Sequence, residues 1–138
     1  MKTVYLAGPI AGCTDEENYG WRREVKLKLR DQLRFLDPTD RDYRGYDRHT
    51  GAGLMRPEDC TKLVEDDIAD IKACDIMFAY AWKTSTGTSM EYVYARKYLK
   101  IVVSVCPEQY ISPWIQYHSD YVVKGLREGI SVLFDLNF

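Results

Sequence analysis

Two carboxylates carry the strongest chemical signal in this sequence. Between Pro57 and Ala73, Cys60, Leu63, Val64, Ile68 and Ile71 recur at helical spacing, and Asp67 falls inside their stripe while Glu65 and Asp66 point away. Desolvation disfavours the ionised form of a carboxylate placed in an apolar face, which makes Asp67 a candidate general acid. The structural alternative, that Asp67 reaches the edge of the stripe and caps or salt-bridges another group, stays open at this point. Glu91 is complementary. It follows Gly87-Thr88 and is expected in the first turn of a helix, where the macrodipole and the unsatisfied backbone N–H groups favour negative charge. An ionised, positioned carboxylate can attack a sugar C1′ while a neighbouring acid helps the departing group to leave. A glutamate that merely stabilises the helix start is the plain alternative.

Two further segments belong beside these carboxylates. Ser85-Thr86-Gly87-Thr88 offers hydroxyls, a glycine that permits close backbone approach and a helix N-terminus, which together outline an anion site suited to phosphate. The segment lacks the lysine of a P-loop, and small-residue turns of this kind are common. Tyr5-Leu6-Ala7-Gly8-Pro9-Ile10 ends the first apolar run, and a tyrosine hydroxyl there could orient Glu91 or simply pack.

The elements that must position these groups follow from periodicity. Thr3 to Ala7 reads as a buried first strand closed by Gly8-Pro9. Thr14-Asp15-Glu16-Glu17 has capping-box spacing, and Trp21, Val25, Leu29 and Leu33 behind it predict an amphipathic helix. Arg22, Arg23, Lys26, Lys28, Arg30 and Arg34 fall mainly off that stripe and are expected on its solvated face. Arg34 to Leu36 predicts a second strand stopped near Pro38. From Asp40 to Arg56 no apolar periodicity survives, and the interleaved Arg41, Tyr43, Arg44 and Tyr46 suggest a lid-like loop or a plain surface loop. Pro57 to Ala73 is the second helix and Asp75 to Ala81 the third strand. A helix from about Thr88 to Leu99, a strand from Ile101 to Val105 and a short helix from Pro113 to Ser119 follow. The apolar segment Ile130 to Phe134 completes the pattern as a fifth strand. Strands alternating with helices predict one α/β domain over 1–138: a doubly wound, flavodoxin-like (Rossmann-like) five-stranded, mainly parallel sheet. Its ligand crevice lies at the carboxyl ends of the strands.

Composition bounds the partners. Nineteen Lys+Arg against 21 Asp+Glu give a formal charge of −2, too small a field to suggest nucleic acid or an anionic membrane as the main partner. No apolar run reaches the roughly 20 residues of a membrane span, and the first nine residues are unlike a signal peptide, so a cytoplasmic protein is expected. Cys13, Cys60, Cys74 and Cys106 are widely spaced, away from His49 and His118, which speaks for reduced, mostly buried thiols and against a metal site. The chain is 13% aromatic, an excess suited to pockets, interfaces or packing.

Taken together, Tyr5-Leu6-Ala7-Gly8-Pro9-Ile10, then Asp67-Ile68 with Ile71 and Ala73-Cys74-Asp75, then Thr86-Gly87-Thr88-Ser89-Met90-Glu91 resemble the nucleoside 2-deoxyribosyltransferase superfamily in order and spacing. The resemblance spans nearly the whole chain. It implies that Glu91 is the nucleophile on C1′, that Asp67 serves protonation of the base, and that Tyr5 orients Glu91. Gly8, Pro9 and Ile10 become substrate-binding positions. The transferases of this family usually place an aspartate six positions before the nucleophile, where this chain has Ser85. A serine at a helix N-terminus can donate to a 5′-phosphate that an aspartate would repel. The departure is similar to the branch of 2′-deoxynucleoside 5′-monophosphate N-glycosidases. That branch implies Ser85, Gly87 and Ser112 as phosphate contacts, Ser112 coming from a neighbouring subunit, and Trp114 near the sugar or base.

The expected activity is therefore hydrolysis of the N-glycosidic bond of a (deoxy)nucleoside 5′-monophosphate, with no metal or redox cofactor, in a homodimer or larger assembly with shared sites. Base exchange between deoxynucleosides is the first alternative and a non-catalytic nucleotide-binding or sensing module the second. The lysine-decarboxylase-like phosphoribohydrolases, with a related Gly-Thr-x-x-Glu turn, are more distant, because this chain lacks the glycine pair before that turn. Base identity and the preference at the 2′ position are not readable from the residues.

Overall fold

The alternating apolar runs become five parallel strands with helices on both faces. The computed structural model describes residues 1–41 and 56–137. The strands are β1 (Lys2–Ala7), β2 (Leu33–Leu36), β3 (Ile76–Tyr80), β4 (Ile101–Val105) and β5 (Tyr121–Val123), in the order β2-β1-β3-β4-β5. This is the doubly wound flavodoxin order, with its switch point between β1 and β3. The helices are α1 (Trp21–Leu29), α2 (Pro57–Ala73), α3 (Thr86–Lys97), α4 (Pro113–Tyr117) and α5 (Leu126–Leu136). Among the described residues no helix is long and apolar enough to cross a membrane.

Strand parity assigns every side chain to a layer, because successive residues face opposite sides of the sheet. Val4 and Leu6 of β1, Ile76 and Phe78 of β3, and Val103 and Val105 of β4 pack with Trp21, Val25 and Leu29 of α1 and with Ile130 and Leu133 of α5. Tyr5 and Ala7, Met77 and Ala79, and Val102 face the other way, toward Ile71 of α2 and Tyr92 and Ala95 of α3. The register aligns Tyr5 with Met77 and Met77 with Val102. Tyr5 is therefore committed to the α2/α3 layer by its position in the strand.

Several expectations need correction. The helix after the capping box is shorter than its stripe suggested. Thr14 and Glu17 do form the reciprocal box, at 2.8 and 3.1 Å. A π-helical turn (Glu16–Gly20) follows, α1 ends at Leu29, and Leu33 opens β2. Arg22, expected in solvent, is 1% exposed. On α2, Cys60 and Val64 are exposed, and the buried positions are Asp59, Asp67, Asp70 and Ile71. Ile130 to Phe134 lies in α5, because Leu126, Ile130 and Leu133 recur at helical spacing; the fifth strand is Tyr121–Val123. Arg41 follows a single 3₁₀ turn (Pro38–Asp40), whereas Tyr43, Arg44, Tyr46 and His49 of the lid-like loop lie outside the described residues.

Candidate active site

Glu91 does not sit where the helix dipole argument placed it. Ser85 is the N-cap of α3 and Thr86 its first residue, so Glu91 lies in the second turn, beyond the reach of the terminal N–H groups. Its position is set by packing instead. Thr88, Tyr92 and Ala95 form the buried stripe of α3, and Glu91 lies half-buried beside them. From β1, the Tyr5 hydroxyl donates to Glu91 Oε2. Tyr5 is fully buried, so the carboxylate is met by a donor whose ring cannot turn away.

Asp67 occupies the same layer from α2, one helical turn before the fully buried Ile71, and is itself 7% exposed. It has a cationic neighbour the sequence reading did not foresee. Arg41 leaves the end of the 3₁₀ turn, its Nη2 donates to Asp70 Oδ1 at 2.6 Å and its Nη1 lies 3.9 Å from Asp67 Oδ1. Burial pushes the Asp70 carboxyl up, and Asp67 and Asp66 add to this; Arg41 pulls it down by less. The inner face of α2 thus carries two carboxylates one turn apart with a guanidinium between them. The candidate general acid Asp67 thus has a positive neighbour at 3.9 Å.

The remaining candidates group elsewhere. Gly8, Pro9 and Ile10 are buried at the carboxyl end of β1. A Cβ at Gly8 would lie 2.8 Å from Trp21 Cζ2 and 3.2 Å from the Tyr80 carbonyl oxygen, so packing of α1 and β3 alone demands this glycine. Gly87 differs: it is exposed, and a Cβ there would meet no neighbouring element within 4 Å among the described residues. Ser85 Oγ accepts from the Thr88 N–H at 3.4 Å, an N-cap that leaves the hydroxyl hydrogen able to donate outward. Ser112 plays the same part for α4, accepting from the Trp114 N–H at 3.2 Å.

Ser85, Ser112 and Trp114 line a cavity of about 800 cubic ångströms between α3 and α4. None of Tyr5, Asp67 and Glu91 lines it. The cavity wall is mainly apolar, with Met90, Val93 and Ile115 beside the serines, and Trp114 stands 76% exposed at its rim. The site therefore has two parts on the two sides of α3, a carboxylate crevice toward β1 and α2 and a hydroxyl-edged cavity toward α4. Ser85 and Ser112 of one chain both line that cavity.

The α4 segment is seated by polar contacts. It buries no side chain of its own. Tyr92 Oη and Ser104 Oγ are 2.7 Å apart, Ser104 Oγ and Ser119 Oγ 2.7 Å, and Ser119 Oγ donates to the Ile115 carbonyl at 2.6 Å. Burial pushes the Tyr92 hydroxyl well above its ordinary range, so it stays a neutral link of this chain. Arg22, Arg41 and this hydroxyl chain are the parts that sequence reasoning missed. A faint signal existed for Arg22, four residues after Asn18 and next to Trp21 on a helix. Arg41 lay in a segment without periodicity. Among the described residues no cluster of three or more His, Cys, Asp or Glu could hold a metal ion.

No protein-family model and no curated protein matches the chain. Solved structures do match over its whole length. A 2-deoxyribosyltransferase from the psychrotolerant bacterium Bacillus psychrosaccharolyticus superposes with a TM-score of 0.76 at 19% identity, covering 98% of this chain and 95% of that one. The CMP N-glycosidase of Clostridium botulinum superposes with a TM-score of 0.61 at 20% identity, covering 96% and 99%. At these identities the likeness is one of fold, and it extends from end to end in all three chains.

Proposed function

We propose that this chain, on the fold it shares with a deoxyribosyltransferase and an N-glycosidase, is a cytoplasmic enzyme that hydrolyses the N-glycosidic bond of a (deoxy)nucleoside 5′-monophosphate. The observation that carries the reading is the hydrogen bond from buried Tyr5 to Glu91, which fixes a carboxylate at the switch-point crevice of the sheet. An oriented carboxylate with a neighbouring acidic side chain is what displacement at a sugar C1′ requires. Glu91 attacks C1′, the C1′–N bond breaks, and its electron pair leaves with the base, which Asp67 protonates or steadies. Water then adds its oxygen to C1′ and expels the Glu91 carboxylate, and the proton it loses replaces the one taken up by the base, giving free base and (deoxy)ribose 5-phosphate. The hydroxyl of Ser85 and the open backbone at Gly87, with Ser112 of a neighbouring copy, hold the phosphate. The partners are small nucleotides, with no role for a nucleic acid polymer or a membrane, and the enzyme works as a homodimer or larger assembly.

The test is chromatographic detection of free base from a panel of ribo- and deoxyribonucleoside monophosphates and their dephosphorylated forms. Base release from monophosphates, lost in Glu91→Ala, is the expected result. Release only when a second base is added, with a new nucleoside formed, would make the enzyme a transferase. Tight nucleotide binding with no product would make it a sensing module.

A further inference from the structure

The switch point between β1 and β3 opens the crevice because the chains leave these two strand ends in opposite directions. β1 leaves through Gly8-Pro9-Ile10, and this turn is held from beneath by two adjacent residues of α1. Arg22 Nη2 donates to the Gly8 carbonyl at 3.2 Å, and its Nη1 donates to the Asn18 carbonyl at 2.7 Å and to Asn18 Oδ1 at 2.9 Å. Its Nε lies 3.5 Å from Asp37 Oδ1 at the end of β2, and its guanidinium lies over the Trp21 ring, 4.4 Å from the centroid. Asp37 is in turn fixed by Lys26 at 2.7 Å and by Thr39 at 2.7 and 2.9 Å. The Trp21 ring closes on Gly8 and meets Tyr80 at the end of β3 edge-on. Three neighbouring strand ends are thereby stitched together by one helical turn.

A buried ion pair is weak support for stability, since well-packed apolar residues of similar volume often serve as well or better. A guanidinium does what they cannot: its planar fork holds several acceptors at fixed angles. We propose that Arg22 is a positioning residue that orients the Gly8–Ile10 turn for ligand binding through the Gly8 carbonyl. The kinetic side of this inference rests on the nucleotide reading above; the structural side does not.

Arg22→Lys keeps a positive charge beside Asp37 but offers one nitrogen in place of the fork, and Arg22→Gln serves where the lysine variant does not fold. Asp37→Asn is the control, because it weakens the fold and leaves the Arg22–Gly8 bond in place. In NMR spectra the Arg22 variant is expected to shift the Gly8 carbonyl carbon upfield and to displace the Ile10 amide, with Val102 to Val105 unmoved. KM for the nucleoside monophosphate rises about tenfold and kcat stays within about twofold, the signature of lost uniform binding. Asp37→Asn changes neither the turn resonances nor KM. Unmoved turn resonances in the Arg22 variant, a fall in kcat at constant KM, or an equal rise of KM in Asp37→Asn would each overturn the proposal. A wild-type chain that releases no base removes the proposed function and leaves the resonances to decide on Arg22.

Discussion

Tyr5 and Glu91 are 86 positions apart in the chain, yet their contact is the one on which the proposed chemistry turns. A hydrogen bond to a charged acceptor is worth about 1.5–3 kcal/mol. Tyr5→Phe is therefore expected to lower kcat roughly 10- to 100-fold while the fold is kept, measured as initial rates of base release. A variant with unchanged kcat would show that Glu91 is oriented by something else. Asp37 makes a separate case at this scale. Burial raises its carboxyl, but Lys26, Thr39 and Arg22 together pull it below the usual carboxylate range. A depressed native value stabilises the fold above the unfolded value of about 3.9, and that contribution fades as pH falls through the lower native value. Urea unfolding of Asp37→Asn should thus show a loss of about 3 kcal/mol at pH 7 that shrinks steadily below about pH 4. A loss independent of pH would mean that the charge on Asp37 is not what stabilises the fold.

Elements differ in how they are held. α5 lies flush on the sheet because Gly129 leaves room that a Cβ would take from Val105 and Phe78, at 2.6 and 2.9 Å. α4 packs only the half-buried Ile115 against the core and is tied down by the hydroxyl chain from Tyr92 to the Ile115 carbonyl. α3 ends in a Schellman motif. Lys100 N–H bonds the Ala95 carbonyl at 2.9 Å and Leu99 N–H the Arg96 carbonyl at 3.1 Å, which forces Leu99 to φ +57°. A leucine in that region is strained, and this one is 90% exposed, so it gains nothing from burial. Leu99→Gly should raise the unfolding free energy by about 1 kcal/mol, read from denaturant midpoints, with activity unchanged. A lower midpoint would mean that the left-handed turn is not the source of strain.

For the whole molecule, size and surface point the same way. These 138 residues form one α/β domain, and Met90, Val93, Tyr110, Trp114 and Tyr117 expose large apolar side chains on and around α3 and α4. Aromatic side chains clustered in this way suit an interface between copies. Sedimentation is expected to give at least twice the chain mass of 16.1 kDa, with Trp114→Glu shifting the protein toward monomer and lowering activity with it. A fully active monomer would remove the shared-site reading and leave Ser85 and Ser112 to act within one chain.

Periodicity and punctuation alone determined much of this protein. Pro57 to Ala73 is the helix its spacing predicted, Ile101 to Val105 is the strand, and the alternation of strands and helices predicted a parallel, doubly wound sheet, whose order β2-β1-β3-β4-β5 the tertiary structure decided. These features are local, set by side-chain period, proline and caps, or follow from the handedness of parallel crossovers. The sequence also singled out Tyr5, Asp67 and Glu91, but it misread what surrounds them. Glu91 meets the Tyr5 hydroxyl as expected but lies in the second turn of α3 and not the first, Asp67 has Arg41 beside it, and Arg22 is buried beneath the first turn. Each of these depends on side chains far apart in the chain meeting across the sheet. A short apolar run such as Ile130 to Phe134 fits a strand or a helix equally well by composition, and only packing of α5 on Val105 and Phe78 decided between them.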